Sequence, residues 1–169
     1  HRRILWYGPA GPPDGVNADR RAAAFAMATL NAGLSGSIRR YQRRAYCTAD
    51  ELIDFAHAGM GDILEETEDF TAAVCFNDHT ALGVYRAAAE FGRAIPGDLS
   101  VVGFDDFLAS YVWPKLTTVR HPCEAMGRRS VELLMRMIES PGSRRDLAGH
   151  CDRVGCELVP RGSTASPAD

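Results

Sequence analysis

The sequence predicts an α/β fold, a doubly wound and mainly parallel sheet with helices on both faces. The first observation is that short apolar runs of strand length alternate along the chain with segments of helical periodicity. The second is the continuous apolar run F-T-A-A-V-C-F at residues 70–76, which is typical of a parallel strand buried on both faces. Right-handed crossovers are expected to connect the strands.

The first unit is a strand, a loop and a helix. Residues 4–8 (I-L-W-Y-G) predict a buried strand that ends at Gly8, and the segment G-P-A-G-P-P-D-G is too rich in Gly and Pro for regular structure. This segment is a candidate ligand-binding loop. A helix is predicted from about Asp19 to a stop at Gly33. Its stripe toward the core is formed by Ala22, Phe25, Ala26, Thr29 and Leu30.

The next unit begins with a short basic segment. Residues 38–46 predict an edge strand, because their charges would discourage pairing with other sheets. Thr48-Ala-Asp-Glu51 has the spacing of a capping box, which predicts the start of the second helix. The apolar residues of that helix recur at helical intervals and are Leu52, Ile53, Ala56, Met60, Ile63 and Leu64.

The buried run at residues 70–76 leads directly into a third helix. The strand is predicted to end at Asn77, and Asp78 is predicted to cap the helix, which closes at Gly92. The apolar residues of this helix are Ala81, Leu82, Tyr85, Ala88 and Ala89.

Polar residues follow the predicted strands at the points where the strands end. Residues 99–104 predict a further strand that ends at Asp105. Because open α/β sheets bind ligands at the carboxyl ends of their strands, Gly8, Asn77 and Asp105 are expected at one edge of the sheet. Asp105 and Asp106 are not expected to form a catalytic carboxylate pair, since neighbours on an extended chain point in opposite directions. Asp106 is predicted to cap a helix or to be solvated.

The last part of the chain predicts a strand at residues 116–120, an amphipathic helix at 124–139 and a short strand at 156–160. The tail at residues 161–169 is expected to be frayed. The apolar side of the helix is formed by Met126, Val131, Leu134, Met137 and Ile138.

Composition excludes several classes of protein. The chain has 169 residues, of which 46% are hydrophobic and 24% charged, so it is expected to fold around a core. The formal net charge is −3 and the basic residues are dispersed, so this segment is not expected to contact DNA. No apolar run has the length of about 20 residues that spans a bilayer. The first residues resemble neither a signal peptide nor an initiator methionine, so we expect the chain to be part of a longer protein.

The five cysteines and the missing catalytic motifs point away from an enzyme. Five is an odd number without framework spacing, which favours a reducing cytoplasm. His150, Cys151 and Cys156 lack the paired spacing of structural zinc. The sequence contains no P-loop, no G-x-G-x-x-G and no motif around any cysteine that would mark a nucleophile. The prediction is a protein that is not an enzyme and binds no metal or cofactor.

Four blocks occur in order across nearly the whole chain: V-C-F-N-D-H-T-A-L-G, A-I-P-G-D-L-S-V-V-G-F-D-D, P-K-L-T-T-V-R-H-P and E-L-V-P-R-G-S-T. With these blocks the sequence resembles the LacI/GalR family of transcription regulators. The resemblance implies the periplasmic binding protein-like type I fold. It places residues 1–120 in the C-terminal subdomain of the effector-binding domain and residues 121–153 in a crossover and a helix of the N-terminal subdomain. Residues 154–169 would form a return strand and a tail.

The resemblance also implies the function: a cytoplasmic repressor whose effector-binding domain takes a sugar or a related small molecule and controls operator DNA binding allosterically. A homodimer is expected, with no membrane contact, and DNA would be bound by a headpiece absent from this chain. The alternative is a periplasmic sugar-binding protein of a transporter, and an enzyme on the same sheet is a further rival. The helix at 124–139, without its partners, is expected to pack opportunistically or against another copy.

The resemblance suggests five effector-binding residues, which are Arg21, Tyr46, Asn77, Asp105 and His121. Their chemistry suits a sugar, because a guanidinium donates, a carboxylate accepts, an amide does both, and an aromatic ring covers the C–H face. Each of these residues also has an alternative role. Arg20 could replace Arg21, which could instead form an ion pair, Asn77 could only shape a turn, and Asp105 could be a surface charge. Tyr46 could be an ordinary half-buried aromatic, and His121 could be a structural histidine or a pH sensor.

Overall fold

The computed structural model describes residues 1–10, 16–45, 47–66, 69–139 and 151–167, with side chains from residue 20 onward in the first helix. Its strands are β1 (Arg3–Pro9), β2 (Ser35–Tyr41), β3 (Ala72–Cys75), β4 (Ser100–Asp105), β5 (Thr117–Arg120) and β6 (Glu157–Val159). Its helices are α1 (Val16–Asn31), α2 (Ala49–Glu65), α3 (Asp78–Glu90) and α4 (Cys123–Glu139). Strand and helix alternate from β1 to β4, which confirms the predicted α/β class.

Within the described residues the strands form one sheet in the order β2-β1-β3-β4-β5-β6. β1 pairs in parallel with β2 and β3, and β3 pairs in parallel with β4. Leu5, Ala73 and Val101 lie opposite one another across β1, β3 and β4, and all three are fully buried. β2 lies at the edge of the sheet and is exposed except at Tyr41. The predicted edge position is therefore confirmed, but the strand begins earlier than predicted, at Ser35, and ends earlier, at Tyr41.

The predicted stripe of α1 is only partly correct. Ala22 and Thr29 are buried and Phe25 is half-buried, but Leu30 is 71% exposed. The reason is the close approach of β2, since a methyl group at Gly36 would lie 2.5 Å from Oγ1 of Thr29 and 3.1 Å from the ring of Phe25. Spacing along the helix could not show which of two adjacent stripes meets this glycine.

The helices α2 and α3 pack closely on each other. The predicted capping box is present, because the Thr48 hydroxyl accepts from the backbone N–H of Glu51 and the Glu51 carboxylate accepts from the backbone N–H of Thr48. A methyl group at Gly83 of α3 would lie 2.6 Å from Cβ of Ala56 in α2. Only glycine permits this approach, so α3 turns the face carrying Ala81, Gly83, Val84, Ala87 and Ala88 inward and leaves Ala89 exposed.

The main core lies between the sheet and the helices α2 and α3. Burial raises the pKa of the Cys75 thiol, which packs in this core as a small apolar side chain. The buried residues of this core are Leu5, Tyr7, Tyr41, Ala56, Met60, Ile63, Phe70, Ala73, Cys75, Ala81, Val84, Ala87, Ala88, Leu99, Val101, Ala109 and Leu116.

The expectation of a frayed tail is wrong for the residues that the structure describes there. Ser163 is fully buried; its hydroxyl donates to the carbonyl of Val101 (2.6 Å) and accepts from the N–H of Thr117 (2.8 Å). The backbone N–H of Ala165 donates to the hydroxyl of Ser100. The polar sequence of the tail suggested that it would lie in solvent. Its polar groups instead form hydrogen bonds with groups of β4 and β5.

The chain divides into two compact units, the first formed by His1–Val119 with Leu158–Asp169 and the second by Arg120–Glu157. In the second unit α4 has no buried residue. Whether the two units belong to different subdomains stays a prediction. Among the described residues no helix is long and apolar enough to cross a membrane.

Candidate functional site

The strands β1, β3 and β4 end at the same edge of the sheet. The N–H of Phe76 donates to the carbonyl of Tyr7 (2.8 Å), so β3 stays paired with β1 up to the carboxyl end of β3. We call the polar and aromatic group at this edge the strand-end site; its members are Arg21, Phe76, Asn77, Phe104 and Asp105. Their common edge follows from the parallel register, as the sequence predicts.

Arg21 reaches from α1 to the ends of β3 and β4. Its guanidinium carbon lies 3.7 Å from the ring centroid of Phe104 and 4.7 Å from that of Phe76, and Nη1 donates to the carbonyl of Phe76. Two rings and a backbone acceptor therefore fix the direction of the guanidinium. Its neighbour Arg20 is exposed. Of the two candidate arginines, Arg21 is the one at the strand ends.

Asn77 has the turn-forming role that the sequence left open, and it corrects the prediction for Asp78. Oδ1 of Asn77 accepts from the N–H of Thr80 (2.9 Å) and from its hydroxyl (2.8 Å), so Asn77 is the N-cap of α3. Asp78 is the first residue inside the helix. The capping residue is the one whose backbone is still extended, and φ of Asn77 is −155°.

Asp78 joins α3 to the segments that follow β4. Its carboxylate is fully buried and accepts from the N–H of Phe107 (3.0 Å), the N–H of Leu108 (3.3 Å) and the hydroxyl of Thr118 (2.6 Å). A methyl group at Gly103 would collide with this carboxylate, so β4 approaches as closely as glycine allows. Asp78 thus fixes the loop that carries Asp105 relative to the cap that carries Asn77.

Asp105 and Asp106 lie in a strained turn at the end of β4. Their φ angles are 114° and 63°, a region that residues other than glycine seldom adopt. The sequence prediction that Asp106 caps a helix or is solvated is wrong, because its side chain is only 7% exposed and its Oδ1 lies 2.7 Å from Nη2 of Arg161. Arg161 also donates to the carbonyl of Leu116 (2.8 Å). The tail therefore holds the turn that presents Asp105.

The remaining two candidates are not placed at the strand-end site. Tyr46 lies outside the described residues. His121 belongs to the second unit, where Nδ1 lies 3.8 Å from Sγ of Cys156. It lines a pocket of about 650 Å³ formed within that unit by Arg120, His121, Pro122, Cys123, Glu124, Ala125, Arg128, Arg129 and Glu132.

Sequence reasoning missed four residues around the strand-end site: Tyr41, Thr80, Arg161 and the bridging role of Asp78. For Thr80 a signal existed, because an asparagine three residues before a threonine has the spacing of an N-cap and its N3 residue. Arg161 carried no signal of its own, since its partner Asp106 lies far away in sequence. His150 of the possible metal group is outside the described residues, and within those residues no group of three or more metal-binding side chains occurs.

Comparison with known proteins agrees with this arrangement. The periplasmic binding protein-like domain family matches residues 1–164. An HTH-type transcriptional regulator in the aml 5′ region of Streptomyces limosus is 38% identical over 169 residues, which is 98% of this chain and 44% of that protein. A LacI family transcriptional regulator from Enterococcus faecium, solved with bound ribose, matches with a TM-score of 0.77 and 26% identity, over 100% of this chain and 58% of that one. A dimeric Lac repressor matches with a TM-score of 0.80 and 26% identity, over 99% and 57%.

The fold and the strand-end site define an α/β domain of the periplasmic binding protein-like class. The chain belongs to the periplasmic binding protein-like domain family, and the relatives it matches are named as HTH-type transcriptional regulators, GalR of Escherichia coli among them, and as LacI family regulators. It spans less than half the length of the Streptomyces limosus relative, at 44%.

Proposed function

We propose that this chain is part of the effector-binding domain of a cytoplasmic LacI-type repressor, that it binds a sugar or a related small molecule, and that the bound effector controls operator DNA binding. The observation that carries the proposal is the strand-end site, in which Arg21 is clamped between two rings beside the strained turn of Asp105. A rigid donor and a carboxylate at one sheet edge suit a ligand with many hydroxyl groups.

The ligand contacts follow from the chemistry of the side chains. Asp105 accepts from a ligand hydroxyl, and Arg21 donates to a ligand oxygen in the plane of its guanidinium. Asn77 supplies a further polar contact between them. Arg21 and Asn77 are positioned by hydrogen bonds, and Asp78 holds the loop that follows Asp105, before the ligand arrives, so little ordering entropy is lost on binding.

Tyr46 and His121 stay proposals on the resemblance alone, Tyr46 as an aromatic wall and His121 as a further contact. The same holds for the homodimer and for the DNA-binding headpiece, which would lie in parts of the protein outside this chain. In the proposed mechanism the effector favours one closure state of two subdomains through its differential affinity, and the closure state sets the spacing of the headpieces.

The named relatives favour a repressor over the transporter alternative. The Streptomyces limosus relative is named as an HTH-type transcriptional regulator, and the ribose-bound neighbour is named as a LacI family regulator. These names also support a regulator rather than an enzyme. They do not identify the effector of this chain.

The test uses the intact protein that contains this chain. DNA is first selected from a random-sequence pool by the protein without ligand, and binding to that DNA is then measured with ribose, lactose and a panel of pentoses, hexoses and disaccharides. We expect at least one sugar to change DNA affinity, and calorimetry should show Asp105→Ala weakening that sugar by about 100-fold, as expected when a charged hydrogen bond is lost.

The matched control is Asp54→Ala on α2, whose carboxylate is exposed and pairs with Arg86 at the surface. This variant should bind the sugar as the wild type does. The proposal fails if no sugar of the panel alters DNA binding, and it fails equally if a sugar does so but Asp105→Ala binds that sugar as tightly as Asp54→Ala does.

A further inference from the structure

A buried hydrogen-bond chain leads to Asn77 from the edge of the sheet. The hydroxyl of Tyr41, the last residue of β2, lies 3.1 Å from Oγ1 of Thr80, and Oγ1 of Thr80 lies 2.8 Å from Oδ1 of Asn77. Thr80 is fully buried and Tyr41 is 4% exposed, whereas Asn77 is only half-buried. This series of hydrogen bonds therefore runs from the protein interior outward and ends at the strand-end site.

The donors and acceptors along this chain can be assigned without ambiguity. A backbone N–H can only donate, so the Asn77 atom that faces the N–H of Thr80 must be the carbonyl oxygen. The Thr80 hydroxyl has a single proton, which goes to the same oxygen. Tyr41 must then donate to Thr80. Burial raises the pKa of Tyr41, so its phenol keeps that proton at neutral pH.

The result is an amide whose oxygen is already occupied by two donors. The opposite side of the amide is the –NH₂ group, which offers two donors and no acceptor. Asn77 was expected from sequence to donate and accept, but this geometry leaves only donation for a ligand. Rotating the amide would place its –NH₂ against the N–H of Thr80 and would break both bonds.

We propose that Thr80 and Tyr41 are positioning residues that set Asn77 as a pure hydrogen-bond donor, so the bound molecule must present an acceptor oxygen at this position. The inference rests on the proposed function in that the bound molecule is the effector. It adds a specificity rule to the site. Asn77 at the end of β3 binds a ligand atom that accepts a hydrogen bond, whereas the carboxylate of Asp105 at the end of β4 binds a ligand group that donates one.

The sharpest variant is Asn77→Asp. Aspartate is an equally good N-cap, so one carboxylate oxygen still accepts from Thr80 and α3 keeps its start. The ligand-facing –NH₂, however, becomes a second carboxylate oxygen. We expect the midpoint of thermal unfolding to stay close to the wild type and sugar affinity to fall by about 100-fold or more, since two acceptors then face each other.

Thr80→Val and Thr80→Ser test the positioning step. Valine has the shape of threonine without the hydroxyl, so the Asn77 oxygen loses one of its two donors, and sugar affinity should fall by about tenfold. Serine keeps the hydroxyl and should restore binding. Thr29→Val is the control, because Thr29 is also buried but its hydroxyl bonds to carbonyls of its own helix. It should leave affinity unchanged.

A measurement without ligand separates this inference from the proposed function. The intact protein is labelled with ¹⁵N in asparagine side chains, and the Asn77 –NH₂ resonances are identified by their loss in Asn77→Asp. In the wild type and in Thr80→Ser the two protons should give sharp, well-separated signals. In Thr80→Val the signals should broaden or move toward the positions of an unrestrained asparagine side chain, because the side chain gains freedom about χ1 and χ2.

The outcomes are distinct. If no sugar binds but the amide signals respond to Thr80→Val and recover in Thr80→Ser, the sugar proposal fails and the positioning role stands. If the signals are the same in all three proteins, Thr80 does not position Asn77 and the inference is overturned. It is overturned equally if a sugar binds and Asn77→Asp binds it as tightly as the wild type, because the ligand would then be donating to this position.

Discussion

The two units of the chain have comparable amphipathic patterns but very different burial. In the first unit, α2 and α3 turn their apolar faces onto the sheet and carry residues without any exposed surface. In the second, α4 has a distinct apolar face and no buried residue; Val131, Leu134 and Ile138 are 60%, 55% and 57% exposed. A hydrophobic pattern thus states what a helix can bury, and only a packing partner decides whether it does.

The charges show the same contrast. In the second unit the ion pairs of Arg128 with Glu124 and of Arg129 with Glu132 lie on the exposed surface of one helix, where solvent screens the attraction between the charges. In the first unit, Asp78 is fully buried among three donors and Asp106 pairs with Arg161 at 7% exposure. The buried carboxylates Asp78 and Asp106 of the first unit hold the backbone of the site, whereas these two pairs of the second unit lie in solvent.

The largest expected effect comes from truncating one leucine in each unit. In the 169-residue chain alone, Leu5→Ala should lower the free energy of unfolding by about 3–4 kcal/mol, because Leu5 is fully buried in the sheet. Leu134→Ala should cost less than about 0.5 kcal/mol. Urea unfolding followed by circular dichroism measures both.

The same leucine pair also tests the assignment of α4 to another subdomain. In the intact protein Leu134→Ala should become as costly as a core truncation, about 2 kcal/mol or more, if the rest of the protein covers this helix. An unchanged small effect in the intact protein would show that α4 stays uncovered there and that the subdomain assignment is wrong.

The next largest effect concerns the buried carboxylate. Asp78→Ala leaves the N–H groups of Phe107 and Leu108 and the hydroxyl of Thr118 without their acceptor, and we expect a loss of about 3 kcal/mol in the free energy of unfolding. Asp54→Ala, at an exposed pair with Arg86, should cost no more than about 0.5 kcal/mol. Equal losses in the two variants would mean that Asp78 does not bridge α3 to the loop.

The smallest effect appears only at alkaline pH. Burial raises the pKa of Tyr7 and Tyr41, and that of Tyr85 to about 12, so the folded state keeps phenol protons that the unfolded state loses above about pH 10. The contribution of these tyrosines to stability is complete below about pH 10 and is lost as the pH rises further.

The measurement is urea unfolding at a series of pH values on both sides of the tyrosine pKa. Tyr7→Phe should make the decline in the free energy of unfolding less steep, by at most about 1.4 kcal/mol per pH unit. Tyr111→Phe is the control because Tyr111 is 85% exposed, and it should leave the slope as in the wild type. A slope that Tyr111→Phe changes as much as Tyr7→Phe does would exclude burial as the cause.

Much of the fold followed from local patterns. The capping box at Thr48, the unalternating run before Asn77 and the stop at Gly33 each correspond to an observed boundary or burial. These signals depend on residues within a few positions of each other, where backbone propensity and side-chain hydrogen bonding act directly. The prediction that Asn77 and Asp105 lie at the same edge of the sheet followed from the parallel topology alone.

The strand-end site shows where local patterns end. The chemistry of Arg21, Asn77 and Asp105, a cation, an amide and a carboxylate after successive strands, was determined by the sequence by itself. The tertiary structure decided what each can do: Asn77 presents only donors because Thr80 occupies its oxygen, and Arg161 of the tail pairs with Asp106 in the turn that presents Asp105. It also decided that α4, in the part of the chain that the structure describes, has no buried residue. These outcomes depend on contacts between residues distant in the chain, and no spacing along the sequence encodes which of them form.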